Sequence, residues 1–389
     1  MADFEIIERE SELEALAADL LKEKVVAVDT EADSFYHYFD KTCLIQIATR
    51  KRIYLVDPLA MDGAEKLAPL GPLFASPDVC VLFHAAEYDI FVLKRDYGFE
   101  FANLFDTMVS AQLLGYRAVG LAALIEHHFG LKLPKDEQRS DWSRRPLTAK
   151  QLDYAASDVK FLIRLSEKLG RELRKAKRLE WAEAEFESLT QRRWPERSFD
   201  ELGYLRIKGA RKLESKSLSI LRELHILRDR RAREIDRPPF KVLGNRTLIQ
   251  IAQDKPRSLA ALGEIKGVTE LILRRMGSEL MSAVRDGRKQ EHGPIPKLAS
   301  NGRRRMDRRS EKRLEVLKKW RQRRAAELEL DPGVLCPNAS LEAIASKPPI
   351  AASDLEGRKQ LKGWFARAFG EEIAELLADD DDRSGKDTR

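Results

Sequence analysis

The chain is poor in cysteine and has no long apolar segment. Its 389 residues include three cysteines, Cys43, Cys80 and Cys336, and no two of them form a CxxC pair. This argues against a disulfide framework and a cysteine-ligated zinc site, and it favours a reducing compartment, so we expect a cytoplasmic protein. No apolar run approaches the roughly 20 residues that a membrane-spanning helix needs. Residues 1–14 are acidic and lack the basic-then-apolar order of a secretion signal, so we expect no membrane association.

Charge is distributed unevenly along the chain. Residues 1–200 contain 28 Lys and Arg against 35 Asp and Glu, whereas residues 201–389 contain 42 against 29. The net charge of +6 therefore combines an acidic first half with a basic second half. This division is typical of a metal-using domain followed by a domain that binds a polyanion, although unevenly charged solvated surfaces would produce the same numbers.

The first 170 residues alternate strand-like and helix-like patterns. Short runs rich in β-branched residues predict strands at Val25–Val28, Cys43–Thr49, Ile53–Asp57, Val79–Phe83 and Asn103–Asp106. Apolar periodicity predicts helices at Ala64–Phe74, Ala86–Tyr97, Thr107–Gly115, Gly120–Phe129 and Thr148–Gly170. Because turns separate the first three strands and helices separate the later ones, we predict a mixed sheet flanked by helices.

From about residue 179 onward the pattern is helical and repeats itself. The segment Leu227–Ile235 aligns with Trp320–Leu328, and further matches follow at nearly the same offset, so two related helical modules are predicted. The sequence thus predicts a first domain at 1–200, helical domains at 208–290 and 312–378, and a basic linker at 291–311. The charged tail at 379–389 has few apolar residues and is predicted to be disordered.

Four acidic residues and a tyrosine are placed where they can meet. Asp29 and Glu31 end the first predicted strand and, being two residues apart, share one of its faces. Asp89 lies just inside the helix after the fourth strand, and Asp158 lies one helical turn after Tyr154. Each residue alone has an ordinary structural explanation. Four converging carboxylates, however, repel one another strongly unless cations lie among them.

Sites rich in carboxylate oxygens suit Mg²⁺ or Mn²⁺. A pair of such ions about 3.5–4 Å apart can stabilise both the attacking and the leaving oxygen of a phosphodiester. The helix that carries Tyr154 and Asp158 begins with a capping box, Thr148-x-x-Gln151, and its apolar stripe leaves the tyrosine and the aspartate at its edge. We therefore expect divalent cations in a cleft beside this helix.

Three segments resemble the exonuclease motifs of the DEDD superfamily: VVAVDTEAD at Val25–Asp33, FHAAEYDIFVL at Phe83–Leu93 and QLDYAASDVKFL at Gln151–Leu162. A tyrosine four residues before the last aspartate resembles the tyrosine-type branch of that superfamily. The stretch Gln138–Pro146 and the two-copy helical second half resemble the ribonuclease D family, with its paired HRDC domains. The second helical module departs most from the pattern, because prolines interrupt it.

The resemblance implies an RNase H-like α/β catalytic domain, with a mixed sheet flanked by helices, followed by two all-α HRDC-like domains. Asp29, Glu31 and Asp158 would be direct metal ligands, Asp29 bridging the two ions, and Asp89 would hold the second ion directly or through water. Tyr154 would position the attacking water, because a phenol with a pKa of about 10 is a poor base at neutral pH. The implied activity releases 5′-mononucleotides from RNA with a free 3′ end, with tRNA precursors as the implied substrate and no obligate protein partner.

Five other residues are candidates for substrate binding. Gln46 on the second strand could read a base edge or a sugar hydroxyl, and His84 could touch a substrate phosphate or merely close the fourth strand. Lys135, Arg139 and Trp142 precede the third motif, where cations and an aromatic ring suit a phosphate clamp with base stacking. Packing is an alternative explanation for Trp142.

The linker contains a dense basic run formed by Arg303, Arg304, Arg305, Arg308 and Arg309. A solvated helix is the usual explanation of such a run. Downstream of a nuclease domain it also suits sequence-independent attraction to phosphates, which weakens steeply as salt is added.

Three other functions stay open from the sequence. A 3′→5′ DNA exonuclease of the proofreading or helicase-associated type would use the same metal site, but the chain contains no polymerase or helicase segment. A non-catalytic RNA-binding adaptor on the same fold would be expected to lose one of the acids, and none is lost. A small-molecule hydrolase with a similar metal site would leave the basic second half unexplained.

Overall fold

The computed structural model describes residues 4–61, 63–134, 136–194, 198–290 and 306–386, with the backbone alone for residues 379–386. The chain forms two compact units. The first, which we call the sheet unit, comprises Met1–Ala32, Thr42–Trp194 and Arg305–Arg389. The second, the helical unit, comprises Asp33–Lys41 and Pro195–Arg304. These units cross the predicted domain boundaries, because residues 33–41 group with the helical unit and residues 312–378 group with the sheet unit.

The sheet unit is built on a six-stranded mixed sheet. Its strands are β1 Phe4–Ile7, β2 Val25–Ala32, β3 Thr42–Ala48, β4 Ile53–Val56, β5 Cys80–Phe83 and β6 Leu104–Asp106. Their spatial order is β1-β4-β3-β2-β5-β6; β2, β3 and β4 are antiparallel neighbours and the remaining pairs are parallel. The predicted mixed sheet is thereby confirmed. Strand β1 was missed because four residues at a sheet edge, two of them exposed, carry little pattern.

Helices cover this sheet. They are α1 Glu10–Leu20, α2 Gly71–Ala75, α3 Glu87–Tyr97, α4 Thr107–Leu113, α5 Leu121–Phe129, α6 Ala149–Lys160, α7 Leu162–Lys175 and α8 Leu179–Gln191. Two predicted helices are wrong in detail. Residues 64–70 form a 3₁₀ helix with Pro69 inside it before α2 begins, because proline cannot donate a helical hydrogen bond. The helix predicted at Thr148–Gly170 is interrupted at Phe161, where α6 ends.

Successive side chains of the central strands point to opposite faces of the sheet, where they belong to two separate cores. Ala27 of β2 and Leu44 of β3 belong to a core that includes apolar residues of α6, whereas Val28 and Ile45 belong to a larger core on the other face. All seven residues of β3 are buried, because helices cover both faces of the sheet. The same period of two decides which face each polar residue of β2 occupies.

The helical unit consists of α9 Ser215–Glu234, α10 Pro239–Val242, α11 Asn245–Asp254, α12 Leu259–Gly263 and α13 Glu270–Lys289. Helices α9 and α13 approach closely at Gly287, where a Cβ would lie 2.5 Å from the Ile220 Cα. The segment Asp33–Lys41 packs here because Asp236 accepts hydrogen bonds from the backbone N–H groups of Tyr38, at 2.9 Å, and Phe39, at 3.0 Å. Among the residues described, no helix combines the length and apolar character needed to cross a bilayer.

The second helical module consists of α14 Arg308–Glu327, α15 Pro332–Leu335, α16 Asn338–Ser346 and α17 Gly363–Lys386. It repeats the order of α9, α10 and α11, a helix of 20 residues followed by one of 4 and another of about ten. Helix α14 begins inside the segment predicted as a linker. Helix α17 extends to residue 386, so it runs through most of the tail predicted to be disordered, which corrects that prediction for residues 379–386.

This second module packs directly on α8 and shares a core with the sheet unit. The Trp364 ring stacks on Trp181 with a centroid separation of 4.4 Å and an interplanar angle of 16°. The Trp364 Nε1 donates to Glu185 at 2.5 Å, and Lys362 Nζ lies 3.0 Å from the same carboxylate. A Cβ at Gly115, which has φ +81°, would overlap the Glu329 carbonyl oxygen. The module is therefore an integral part of the sheet unit.

Replacing Trp364 with Ala should lower the free energy of unfolding by about 3 kcal/mol, because the ring is 1% exposed and its removal leaves a cavity and an unpaired Glu185. Urea unfolding followed by circular dichroism would measure the change. Ile350→Ala, which removes a side chain that is 95% exposed in the same module, is the matched control and should leave the midpoint unchanged. Equal midpoints for both variants would contradict this account of the packing.

Candidate active site

Two carboxylates project from the central strand of the sheet. Asp29 and Glu31 lie on β2, which pairs with β3 on one side and β5 on the other. With Ala27 they occupy the face that α6 covers, because side chains two apart on a strand point the same way. The β2–β3 pairing becomes irregular immediately after Glu31, so the strand ends at the site. This is the arrangement expected from the sequence.

A third carboxylate reaches the site from α3. Asp89 is buried in the first turn of that helix, and its Oδ1 accepts a hydrogen bond from the Thr30 hydroxyl at 2.6 Å. Thr30 lies between Asp29 and Glu31, so its side chain points to the opposite face of β2, toward α3. The sequence analysis missed this role of Thr30. Its place between two acids at a strand end was the available signal.

Tyr154 and Asp158 lie one turn apart on α6. The predicted capping box begins this helix: Thr148 Oγ1 accepts from the Gln151 N–H at 3.2 Å, and Gln151 Oε1 accepts from the Thr148 N–H at 3.0 Å. The apolar residues of α6 pack on the sheet, which turns its polar edge toward β2. A hydrogen bond joins the Tyr154 hydroxyl to the Asp158 carboxylate.

Three of the carboxylates form a group that could hold a metal ion. One carboxylate oxygen each of Asp29, Glu31 and Asp158 lies within 4.8 Å of the other two. These residues line a cavity of about 470 Å³ together with Thr30, His84, Ala85, Tyr88, Asp89, Gly120, Leu121, Ala122, Ala123, Leu133, Pro134, Gln138 and Tyr154. Oxygen donors at this spacing suit small divalent cations. Asp89 stands outside the group of three and is held by Thr30.

The carboxylates raise one another's proton affinity. Burial raises the pKa of Asp29 well above its usual range, and the charges of Asp89, Asp158 and Glu31 add to the effect. Burial and the charges of Asp158 and Asp89 likewise raise the pKa of Glu31 well above its usual range. Burial raises the pKa of Asp89 to about 7 and that of Asp158 to about 7. Cations are the partners that would allow all four groups to ionise together at neutral pH.

The tyrosine is kept protonated at this site. Burial is the largest cause of the raised pKa of Tyr154, and the charges of Asp158, Glu31 and Asp29 act in the same direction. A phenol in this environment cannot serve as a base at neutral pH. It can accept and donate hydrogen bonds, which suits the positioning of a water molecule.

His84 lines the cavity as a neutral ring. Burial lowers its pKa to about 4, so it carries no charge at neutral pH. Its Nδ1 lies 2.9 Å from the Thr107 hydroxyl, which donates its proton to the Phe83 carbonyl at 3.1 Å. Because the single hydroxyl proton serves that carbonyl, Nδ1 must donate to Thr107, and the Nε2 atom of His84 remains an acceptor. A neutral ring with an acceptor Nε2 atom favours a hydroxyl group over a phosphate as its partner, and the contact of His84 with substrate stays a prediction.

Two other substrate-binding candidates are buried. Gln46 is 0% exposed opposite Asp29 in the β2–β3 register, and its amide atoms have no hydrogen-bond partner among the described residues. Trp142 is 1% exposed and packs 6.1 Å from the Tyr154 ring. Neither side chain presents a surface to a nucleotide. Their burial corrects the prediction that these two residues contact substrate, and Trp142 packs in the core that includes apolar residues of α6.

The remaining candidates either are not among the residues that line the cavity or lie outside the described residues. Arg139 is exposed and is not one of the lining residues described above. Arg308 and Arg309 are exposed in the first turn of α14. Lys135, Arg303, Arg304 and Arg305 lie outside the described residues. The binding roles of these residues stay predictions.

Comparison with known proteins agrees with this geometry. A model of the 3′–5′ exonuclease domain matches residues 4–174, and a model of the HRDC domain matches residues 217–284 and 310–377. Ribonuclease D of Gluconacetobacter diazotrophicus is 29% identical over 95% of this chain and 92% of its own. Ribonuclease D of Cronobacter turicensis is 32% identical over 74% of this chain and 77% of its own.

The fold has a counterpart among solved structures. The crystal structure of Escherichia coli RNase D, an exoribonuclease involved in structured RNA processing, is similar with a TM-score of 0.68. The match covers 97% of this chain and 99% of that one at 24% identity, so it shows the fold. The chain has an exonuclease domain followed by two HRDC domains, and ribonuclease D proteins match it over most of its length. The chain belongs to the ribonuclease D family and is a metal-dependent 3′→5′ exoribonuclease.

Proposed function

We propose that the enzyme uses two divalent cations, Mg²⁺ or Mn²⁺, to release 5′-mononucleotides from RNA 3′ ends, and that it trims the 3′ extensions of tRNA precursors in the cytoplasm. The observation that carries the proposal is the convergence of Asp29, Glu31 and Asp158 within 4.8 Å, with Asp89 and Tyr154 at the same cavity. When bound, the cations would acidify the attacking water and offset charge on the phosphodiester oxygens. The family relationship supports RNA as the substrate class.

The residues of the site would have two roles, metal binding and positioning of the attacking water. Asp29, Glu31 and Asp158 would be direct ligands, with Asp29 shared between the two ions, and Asp89 would hold the second ion directly or through water. Tyr154, kept protonated by its acidic neighbours, would orient the attacking water by hydrogen bonding and would not take its proton.

The basic run of Arg303, Arg304, Arg305, Arg308 and Arg309 would attract the RNA backbone without reading its sequence. Attraction of this kind releases counterions, so RNA affinity should fall steeply as salt is added. Exposure of Arg308 and Arg309 at the start of α14 supports this role.

A defined precursor would test the proposed function. The substrate is a tRNA with a short 3′ extension, supplied in parallel as the free 3′ end, a blocked 3′ end and a DNA strand of the same sequence. We expect 5′-mononucleotides from the free RNA end alone, after a divalent cation is added to chelator-treated enzyme. Equal rates on RNA and DNA would favour a DNA exonuclease, and the absence of cleavage with every metal would favour an RNA-binding adaptor.

His84 supplies a more specific expectation. An acceptor Nε2 atom suits a ribose hydroxyl of the terminal nucleotide, which donates a hydrogen bond. The wild-type enzyme should cleave an RNA with an ordinary 3′-terminal ribose about five to ten times faster than one lacking the contacted hydroxyl, the value of one neutral hydrogen bond. His84→Leu should remove that difference and leave the rate on the deoxy-terminated substrate nearly unchanged.

Substrates ending in a 2′-deoxy or a 3′-deoxy nucleotide identify which hydroxyl is contacted. The matched control is His127→Leu, which removes an exposed histidine on α5 and should preserve the discrimination. If His84→Leu discriminates as well as the wild-type enzyme does, the proposed contact is wrong.

A further inference from the structure

A second cavity lies beside the catalytic one in the sheet unit. Its volume is about 610 Å³, and it shares Ala85 and Tyr88 with the catalytic cavity as a common wall. Ala85 has φ +65°, and this backbone is held in place because Asp106 accepts from the Ala85 N–H at 3.2 Å and the Ala86 N–H at 2.8 Å. The wall between the two cavities is therefore a preorganised turn.

The second cavity is lined by a series of aromatic rings. Tyr88 and Phe91 of α3 have ring centroids 6.2 Å apart, and Phe91 and Trp194 have centroids 5.3 Å apart. Apolar side chains of α4 and α8 complete the lining, among them Val109 and Leu189. Flat aromatic surfaces of this kind accept the face of a nucleobase whatever its identity.

The charged groups of this cavity are already matched. Glu87 pairs with Arg192, whose side chain is 43% exposed. Glu185 accepts from Trp364 Nε1 at 2.5 Å and lies 3.0 Å from Lys362 Nζ. Each carboxylate of the lining therefore has a cation or N–H donors beside it, which leaves the aromatic rings as the surface offered to a ligand.

We propose that this second cavity binds a nucleobase of the RNA strand upstream of the bond being cleaved, by stacking on Trp194 and Phe91. The proposal rests on the exoribonuclease function, since a strand whose 3′ end occupies the catalytic cavity must continue over an adjoining surface. The shared wall at Ala85 and Tyr88 makes this cavity such a surface. It also gives the second helical module a role, because Trp364 and Lys362 hold α8, which forms one side of the cavity.

Trp194→Ala tests the proposal by substrate length. We expect kcat/KM to fall about tenfold on RNA oligonucleotides of four or more residues and to stay within twofold on a dinucleotide, which is too short to reach the second cavity; the loss corresponds to stacking of one base. Trp194→Phe should retain most of the activity on long substrates. Phe129→Ala, which removes a half-buried ring that lines neither cavity, is the control and should show no dependence on length.

A binding measurement makes the test independent of hydrolysis. RNA with 2-aminopurine near its 3′ end should lose fluorescence on binding to the wild-type enzyme, because the fluorescent base stacks, and should lose less on binding to Trp194→Ala. An equal loss of activity on short and long substrates, or unchanged quenching, would overturn the second-cavity proposal. Failure of the wild-type enzyme to cleave any RNA while quenching persists would instead count against the proposed function.

Discussion

Replacement of Asp29 with Asn should reduce RNA hydrolysis by a factor on the order of 10³ or more, because the metal ions it would hold supply several kcal/mol of transition-state stabilisation. The same replacement should make the metal-free protein more resistant to unfolding. Asp29 is buried among Asp89, Asp158 and Glu31, and their charges repel its own. Burial and those charges make Asp29 take up a proton on folding, and an amide avoids that cost, so activity and stability should change in opposite directions.

The measurements are single-turnover hydrolysis at saturating metal and urea unfolding in a chelator. Tyr154→Phe provides a graded comparison: it should lose about 10- to 100-fold in rate, because positioning of the water is impaired while the ligands remain. Lys150→Gln, an exposed position on the same helix as Tyr154 that is not among the residues lining the cavity, should leave both quantities unchanged. Full activity of Asp29→Asn would contradict the assignment of Asp29 as a metal ligand.

The metal-free protein should lose stability as the pH rises from about 6.5 to about 8.5. Asp89 and Asp158 have pKa values raised to about 7, and those of Asp29 and Glu31 are raised well above the usual range. Carboxyl groups with higher pKa values in the folded state hold protons that the unfolded chain has already released. The folded state therefore binds more protons, and its advantage disappears as they are removed. For Asp158 most of this loss already occurs between about pH 4 and 6.5, and the part that remains above pH 6.5 is on the order of 1 kcal/mol.

The pH window is chosen to separate this effect from that of buried histidines. Burial lowers the pKa values of His84 and His225 to about 4, so these residues add stability mainly between about pH 4 and 6.5 and little above that range. Above about pH 6.5, the urea midpoint measured with Mg²⁺ or Mn²⁺ should become higher than the midpoint measured with a chelator, because the cations stabilise the ionised carboxylates. Asp29→Asn should flatten the metal-free slope. A metal-free stability that is constant or rises between about pH 6.5 and 8.5 would contradict the electrostatic description of the site.

Much of the site could be predicted from local sequence patterns. The period of two along β2 placed Asp29 and Glu31 on one face, and the capping box at Thr148 set the start of α6. One helical turn then brought Tyr154 to the level of Asp158. These features depend on neighbours within a few residues, which is why sequence spacing was sufficient to predict them.

Substrate-binding residues were harder to predict, because the exposure of a side chain depends on which distant segments pack against it. Gln46 is polar and Trp142 is aromatic, and both lie in segments near the carboxylates, yet both side chains are buried. His84 was correctly placed beside the cavity, but its state depends on Thr107, 23 residues away. The chemistry of that ring follows from a hydrogen-bond network that spacing cannot reveal.

In the domain organisation, too, some features could be predicted from local sequence patterns and others could not. The sequence by itself determined five of the six strands, the mixed sheet and the placement of the four carboxylates on their strand and helices, because strand and helix periodicity and capping are local properties of the chain. Only the tertiary structure decided that Asp33–Lys41 packs with the helical unit and that the second helical module is part of the sheet unit. The physical reason is that contacts such as Trp181 with Trp364 join residues 183 positions apart, and burial between distant segments leaves no periodic mark in either of them.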